Sequence, residues 1–105
     1  MELRVLKYFL TVAREQSISA AAEALHLSQP TLSRQLKELE EELGRQLLIR
    51  GTRRVTLTEE GVILRKRAEE ILSLSEKAVE EISLFGEDIS GNVYIGAIGT
   101  LAMIA

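Results

Sequence analysis

The sequence predicts a mainly α fold: three short helices, one β-hairpin and a long final helix. Three observations carry this. Apolar residues recur at helical spacing through residues 3–43. Gly44 and Gly51 then bracket a stretch of short β-type runs. From Thr58 to about Phe85 there is no proline and only one glycine, Gly61.

Composition narrows the class. Of 105 residues, 46% are hydrophobic but only 4% aromatic, so the core must be aliphatic. The absence of cysteine excludes a disulfide scaffold and thiolate metal sites, and suits a reducing cytoplasm. Charges at Glu2, Arg4, Lys7, Arg14 and Glu15 leave no visible signal peptide. The longest weakly polar run, residues 93–105, falls short of the roughly 20 residues that cross a bilayer. A cytoplasmic protein with no membrane partner is the expectation. The net charge of −3 is unevenly spread. Residues 1–57 hold nine Lys and Arg against seven acids, a net +2, and residues 58–105 hold four against nine, a net −5. The acidic half need not approach a polyanion, so the overall charge does not exclude one as partner.

The elements follow in order. Residues 2–15 place apolar side chains at 3, 5, 6, 9, 10, 12 and 13, a wide helical stripe. Ser17 and Ser19 offer N-cap oxygens to a very short Ala-rich helix, Ala20–Leu25, whose small side chains allow close helix approach. His26 is the residue expected to leave that helix in a left-handed conformation. Ser28 caps a third helix with Pro30 in its first turn, where a missing N–H costs nothing. Leu32, Leu36, Leu39 and Leu43 form its inward stripe, and Gly44 stops it.

Leu47–Arg50 and Arg54–Leu57 read as two strands around Gly51-Thr52-Arg53, with the glycine as a permissive turn residue. Three helices and a hairpin make a winged helix-turn-helix. Thr58 starts the last helix, and Glu59 and Glu60 suit the positive end of its dipole. Leu64, Ala68, Ile71, Ser75, Ala78, Ile82 and Phe85 repeat at 4-3-4-3 spacing, widened by Leu72 and Val79. A helix of roughly 28 residues is about 42 Å long, more than a domain this small can cover. This stripe is therefore expected to be a seam with a second copy. After Gly86, residues 88–105 change texture. The run Gly91-Asn92-Val93-Tyr94-Ile95-Gly96 predicts the first strand of a further domain whose remainder lies outside these residues.

A helix fits the B-DNA major groove and reads base edges from its first turns. With Leu32, Leu36 and Leu39 inward, the third helix turns Gln29, Pro30, Ser33, Arg34 and Lys37 outward. Gln can pair with adenine, Arg with guanine, and Pro can touch a thymine methyl. The first-turn N–H groups at Ser28–Thr31 suit a phosphate. On the hairpin, Arg50, Thr52, Arg53 and Arg54 supply a basic tip that can enter a minor groove, with Arg53 nearest the turn. The bland alternatives are a solvated helix face and a soluble turn with stray charges.

His26 is the single histidine and has no ligand partners at metal spacing. A turn or cap role fits it. The carboxylates at 38, 40, 41, 42, 69, 70, 80 and 81 read as helix surface, and Arg65-Lys66-Arg67 as a solvated face or, alternatively, a contact with DNA flanks. No catalytic, metal or cofactor-binding residues are expected.

These residues resemble the amino-terminal part of the LysR-type transcriptional regulators. The resemblance is carried by Phe9, Val12, Ala13, Ser17, Ala21-Ala22, Leu25, Ser28-Gln29-Pro30, Ser33, Leu36, Leu39-Glu40, Leu43-Gly44, Leu47, Arg50 and Leu57-Thr58-Glu59-Glu60-Gly61. It runs without a gap over residues 1–85. It implies a winged helix-turn-helix over 1–58, with the helix-turn-helix proper at 18–37 and the wing at 47–57. It also implies a linker helix over 59–87 that pairs antiparallel with its twin and sets the distance between two DNA half-sites.

The family's DNA contacts carry over to Gln29, Pro30, Ser33, Arg34 and Arg53. The implied function is a sequence-specific regulator that binds an inverted-repeat operator on double-stranded DNA as a homodimer, and a higher oligomer when full length. Control by a small-molecule co-inducer would lie in the α/β effector domain, and an activator would also meet RNA polymerase. Two other readings remain: a coiled-coil interaction module whose winged helix binds protein, and a winged-helix regulator of another family.

Overall fold

The computed structural model describes residues 1–91, with side-chain surroundings through Phe85. The elements are α1 (Leu3–Glu15), α2 (Ile18–Leu25), α3 (Gln29–Leu43), β1 (Leu48–Arg50), β2 (Val55–Leu57) and α4 (Glu59–Gly91). The chain divides into two units, Met1–Leu72 and the residues from Ser73 on. In the first unit α1, α2 and α3 pack pairwise around one aliphatic cluster, and β2 lies against α1.

The cluster is built by helix stripes. Phe9 and Val12 of α1, Ala21 and Ala22 of α2, and Leu32, Leu36 and Leu39 of α3 are almost fully buried within it. Burying each of the large side chains stabilises the fold by about 1.5–3 kcal/mol. Thr11 is the one buried polar side chain among the described residues, and its hydroxyl is satisfied by donating to the Lys7 carbonyl at 2.9 Å. Leu43 was expected inward and is instead 40% exposed. It is the last residue of α3, one turn past Leu39, and there the helix has run beyond the cluster.

All three connections between helices and hairpin turn on a left-handed residue. Gln16 (φ 58°), His26 (φ 59°) and Gly44 (φ 68°) end α1, α2 and α3 respectively. His26 and Gly44 match the sequence expectation. Gln16 was not expected, since a glutamine carries no special preference for this region. The caps that follow are side-chain oxygens: Ser17 Oγ accepts the Ala20 N–H at 3.1 Å and Ser28 Oγ the Thr31 N–H at 3.2 Å. Ser19 does not cap. It lies inside α2, and its hydroxyl meets that of Ser17 at 3.1 Å.

The hairpin is antiparallel, with Leu48 opposite Leu57, Ile49 opposite Thr56 and Arg50 opposite Val55. Alternation sends Leu48, Val55 and Leu57 toward the cluster and leaves Ile49 and Thr56 outside. Each strand is one residue shorter than expected, so residues 51–54 connect them. Gly51 is needed for space rather than for a left-handed backbone. A Cβ there would sit 2.9 Å from the Arg54 carbonyl oxygen, and its φ is not positive. The Val55 N–H donates to the Gln16 carbonyl at 2.9 Å, tying the hairpin to the α1–α2 turn.

Helix α4 is longer than expected and passes through Gly86 to Gly91. An isolated glycine costs a helix only about 1 kcal/mol, too little to stop one by itself. Residues 88–91, assigned in advance to a strand region, are therefore helical, and residues 92–105 lie outside the described residues.

The start of α4 rests on the hairpin at Gly61, where an added Cβ would overlap the Leu47 carbonyl oxygen. Gly61→Ala should therefore lower stability by about 3 kcal/mol. Gly44→Ala, which meets nothing within 4 Å but keeps a positive φ, should cost about 1 kcal/mol. Urea unfolding midpoints of the two variants check this order, and a Gly61 variant as stable as the Gly44 one would contradict it.

Candidate nucleic-acid interface

Helix α3 divides into two faces. One is spent on the core at Leu32, Leu36 and Leu39. The other carries Gln29, Pro30, Arg34 and Lys37, all exposed, with Ser33 half-buried between them. The sequence expectation placed these five together, and the structure does the same. Two shallow open grooves flank Gln29. One is lined by Ile18, Pro30 and Ser33, the other by Ser19, Ala20, Glu23, Leu27 and Ser28. Neither encloses a small molecule.

The start of α3 differs from expectation in its donors. Ser28 Oγ accepts the Thr31 N–H and donates to Thr31 Oγ1 at 2.8 Å, and the Ser28 carbonyl takes the Leu32 N–H at 3.1 Å. Pro30 has no N–H. The N–H of Thr31, named as a phosphate donor, is thus already occupied, because a good N-cap serves the same orphan groups that an anion would. Gln29 keeps the first-turn N–H without an intramolecular partner among the described residues. Ser28 and half-buried Thr31 act first as the cap that sets where α3 begins.

Arg34 has one neighbour of opposite charge, with Nε 4.0 Å from Glu38 Oε2. Both side chains are 60% exposed, so the pair is weak and easily exchanged for another acceptor. Lys37 has no carboxylate at ion-pair distance among the described residues.

The hairpin presents Arg50, Thr52, Arg53 and Arg54, every one exposed. No ion pair among the described residues engages any of the three arginines. Arg53 sits in the four-residue connection at the tip, and Arg50 closes β1 on the face it shares with Leu48.

Two structural carboxylates were read from sequence as plain surface. Glu40 Oε2 accepts the N–H groups of Leu47 at 2.8 Å and Leu48 at 3.1 Å. Glu42 Oε2 meets the Met1 ammonium at 2.7 Å. A signal was present: acids in the last turns of a helix face the negative end of its dipole and need a local donor. Such an acid is better treated as an unfilled acceptor than as solvent-facing decoration.

The long-helix stripe splits in two. Leu64 packs on the core cluster and Ala68 is fully buried in the single chain. Ala68, expected at a seam with a second copy, is thus already covered within the single chain, and Leu64 gives part of its surface to the core cluster. Ile71, Leu72 and Ser75 are half-buried. Ala78 is exposed, as are Val79 (64%), Ile82 (75%) and Phe85 (69%). This part of the stripe is apolar and open in the single chain. Among the described residues, no helix is long and apolar enough to cross a membrane, and no group of His, Cys, Asp or Glu is arranged to hold a metal.

Residues 3–62 match the family model described as a bacterial regulatory helix-turn-helix protein, lysR family. Among curated proteins, the HTH-type transcriptional regulator BsdA of Bacillus subtilis is 48% identical over 98 residues, covering 92% of this chain and 34% of BsdA. The HTH-type transcriptional regulator BudR of Klebsiella aerogenes is 49% identical over 96 residues, covering 91% of this chain and 67% of BudR. The chain thus spans about a third of the length of BsdA. Among solved structures, a CbnR DNA-binding domain–DNA complex superposes with a TM-score of 0.79 at 40% identity, over 82% of this chain and 99% of that one. A BenM DNA-binding domain in complex with benA site 1 DNA gives 0.78 at 47% identity, over 81% and 99%.

Replacing Ser28 by Ala removes the oxygen that orders the first turn of α3. Thermal unfolding should show a loss of about 1 kcal/mol. A variant with unchanged Tm would mean that the cap does not hold this end of the helix.

Proposed function

The chain belongs to the LysR family of bacterial regulatory helix-turn-helix proteins, and on that premise we propose that it reads a specific double-stranded DNA sequence as a homodimer. The observation that carries the reading is the division of α3. Its inner stripe is locked in the core, and its outer face offers Gln29, Pro30, Arg34 and Lys37 uncommitted to strong partners. An α-helix displayed this way enters a major groove and meets base edges with its first turns.

Each part then has a role. Gln29 and Arg34 read base edges, Pro30 gives an apolar contact, and Ser33 supplies a hydroxyl. Lys37 lies one turn on from Ser33 and meets the backbone. Arg53 at the hairpin tip, flanked by Arg50 and Arg54, engages the minor groove or its phosphates. The second copy binds through the exposed part of the α4 stripe, at Ala78, Val79, Ile82 and Phe85, with Ile71, Leu72 and Ser75 at its margin. Two reading heads related by a twofold axis select an inverted repeat.

The work is recognition and not turnover, so no residue is assigned to catalysis. In the whole protein a small-molecule co-inducer would act through an effector domain, and RNA polymerase would be a further partner of an activator. Its place of action is the cytoplasm, where bacterial DNA lies.

Selection of bound sequences from a random duplex pool at two salt concentrations tests the reading. Enrichment of a spaced inverted repeat supports it, while a diffuse affinity or none sinks it in favour of a protein-binding module. Against the selected site, Arg34→Ala should cost about 1–3 kcal/mol and relax preference at one position. Arg53→Ala should weaken binding evenly and flatten the salt slope by about one unit. Ile82→Glu, at a position 75% exposed in the single chain, should give folded monomers by sedimentation. A folded variant that stays dimeric would place the interface elsewhere.

A further inference from the structure

One short segment, residues 46–48, leads into β1 and is hydrogen-bonded both to α3 and to the residue that caps α4. From α3, the Glu40 carboxylate takes the N–H groups of Leu47 and Leu48. From the start of α4, the Thr58 N–H donates to the Leu47 carbonyl at 3.0 Å, and Thr58 Oγ1 donates to the Gln46 carbonyl at 2.7 Å. The same Oγ1 accepts the Gly61 N–H at 3.0 Å, capping α4. The segment also runs into β1, and the Gln46 side-chain amide donates to the Leu48 carbonyl at 2.9 Å. Gly61 lets the α4 backbone close on Leu47, which a side chain at that position would prevent. Reading helix, hairpin base and long helix therefore share one junction.

We propose that Glu40 and Thr58 are positioning residues for DNA recognition: they fix the angle between α3 and α4 and so set which half-site spacing the dimer accepts. This rests on the reading of the chain as a DNA-binding homodimer. The physical reason is leverage. From Gly61 to Leu72, α4 rises about 16 Å at 1.5 Å per residue. A tilt of about 12° at the junction displaces Leu72 by about 3 Å, close to one base-pair step of 3.4 Å. Looseness of that size is enough to blur spacing by a base pair per copy. Hydrogen bonds to an ionised carboxylate are about twice as strong as neutral ones, which suits Glu40 to hold such a joint. Neither residue needs to touch DNA to act in this way.

The test is a duplex library of one fixed half-site in inverted repeats of varied spacing, bound by the parent chain, Glu40→Ala, Glu40→Gln and Thr58→Val. Circular dichroism confirms folding in parallel. The parent should favour one spacing over its neighbours one base pair away. Glu40→Ala should lower that ratio about tenfold while keeping the base preference within a half-site. Glu40→Gln should restore most of it, because a single oxygen of Glu40 accepts both N–H groups and an amide oxygen can do the same. Thr58→Val keeps the shape, removes both side-chain hydrogen bonds, and should broaden spacing in the same direction. It decides the matter if Glu40→Ala does not fold.

Folded variants with the parent's spacing ratio would overturn the proposal. So would a loss of base preference in step with spacing, because that is the mark of a damaged reading head. A parent that selects no spaced repeat at all removes the dimeric DNA-binding reading itself and is distinguishable from both.

Discussion

The burial of Leu32, Leu36 and Leu39 against the Phe9-centred cluster is the constraint on which the rest of the molecule depends. It fixes the rotation of α3 about its own axis. Once those three side chains are inside, the helical repeat leaves no freedom over which residues are outside, and in the first half of the helix these are Gln29, Pro30, Arg34 and Lys37. This outer face is a consequence of packing. A core repacked by one position along α3 would rotate the display by about 100°.

The second requirement is that α3 begin and end at defined places. Ser28 caps one end and Gly44 turns the chain back at the other, so that Leu47 and Leu48 return to the flank of Glu40. The cost of three acids near a helix C-terminus is offset at two of them, Glu40 by backbone N–H groups and Glu42 by the Met1 ammonium. The same turn that closes the domain thus carries the hairpin and the head of α4.

Charge is distributed by the same logic. Arg50, Arg53 and Arg54 are on the hairpin, Lys37 is exposed on α3, and Arg34 has only a 4.0 Å exposed pair to give up. The acids of residues 58–105 sit apart in sequence from all of these. A chain with net charge −3 can still present a locally basic surface, because an approaching anion responds to local charge within roughly 10 Å and little to the total.

Residue identity alone determined the element order, the cap at Ser28, the start of the last helix at Thr58, the turns at His26 and Gly44, and the outer face of α3, whereas the choice of Ser17 over Ser19 as cap came from the structure. Each of these rests on local chemistry or on periodicity within one element, which a sequence displays directly. Tertiary structure alone decided the role of Glu40, the exposure of Leu43 and the burial of Ala68 within the single chain. Those depend on which groups meet across a turn or between elements. A heptad-like stripe looks the same whether it will face its own domain or another copy, and at Ala68 contact in space settled that.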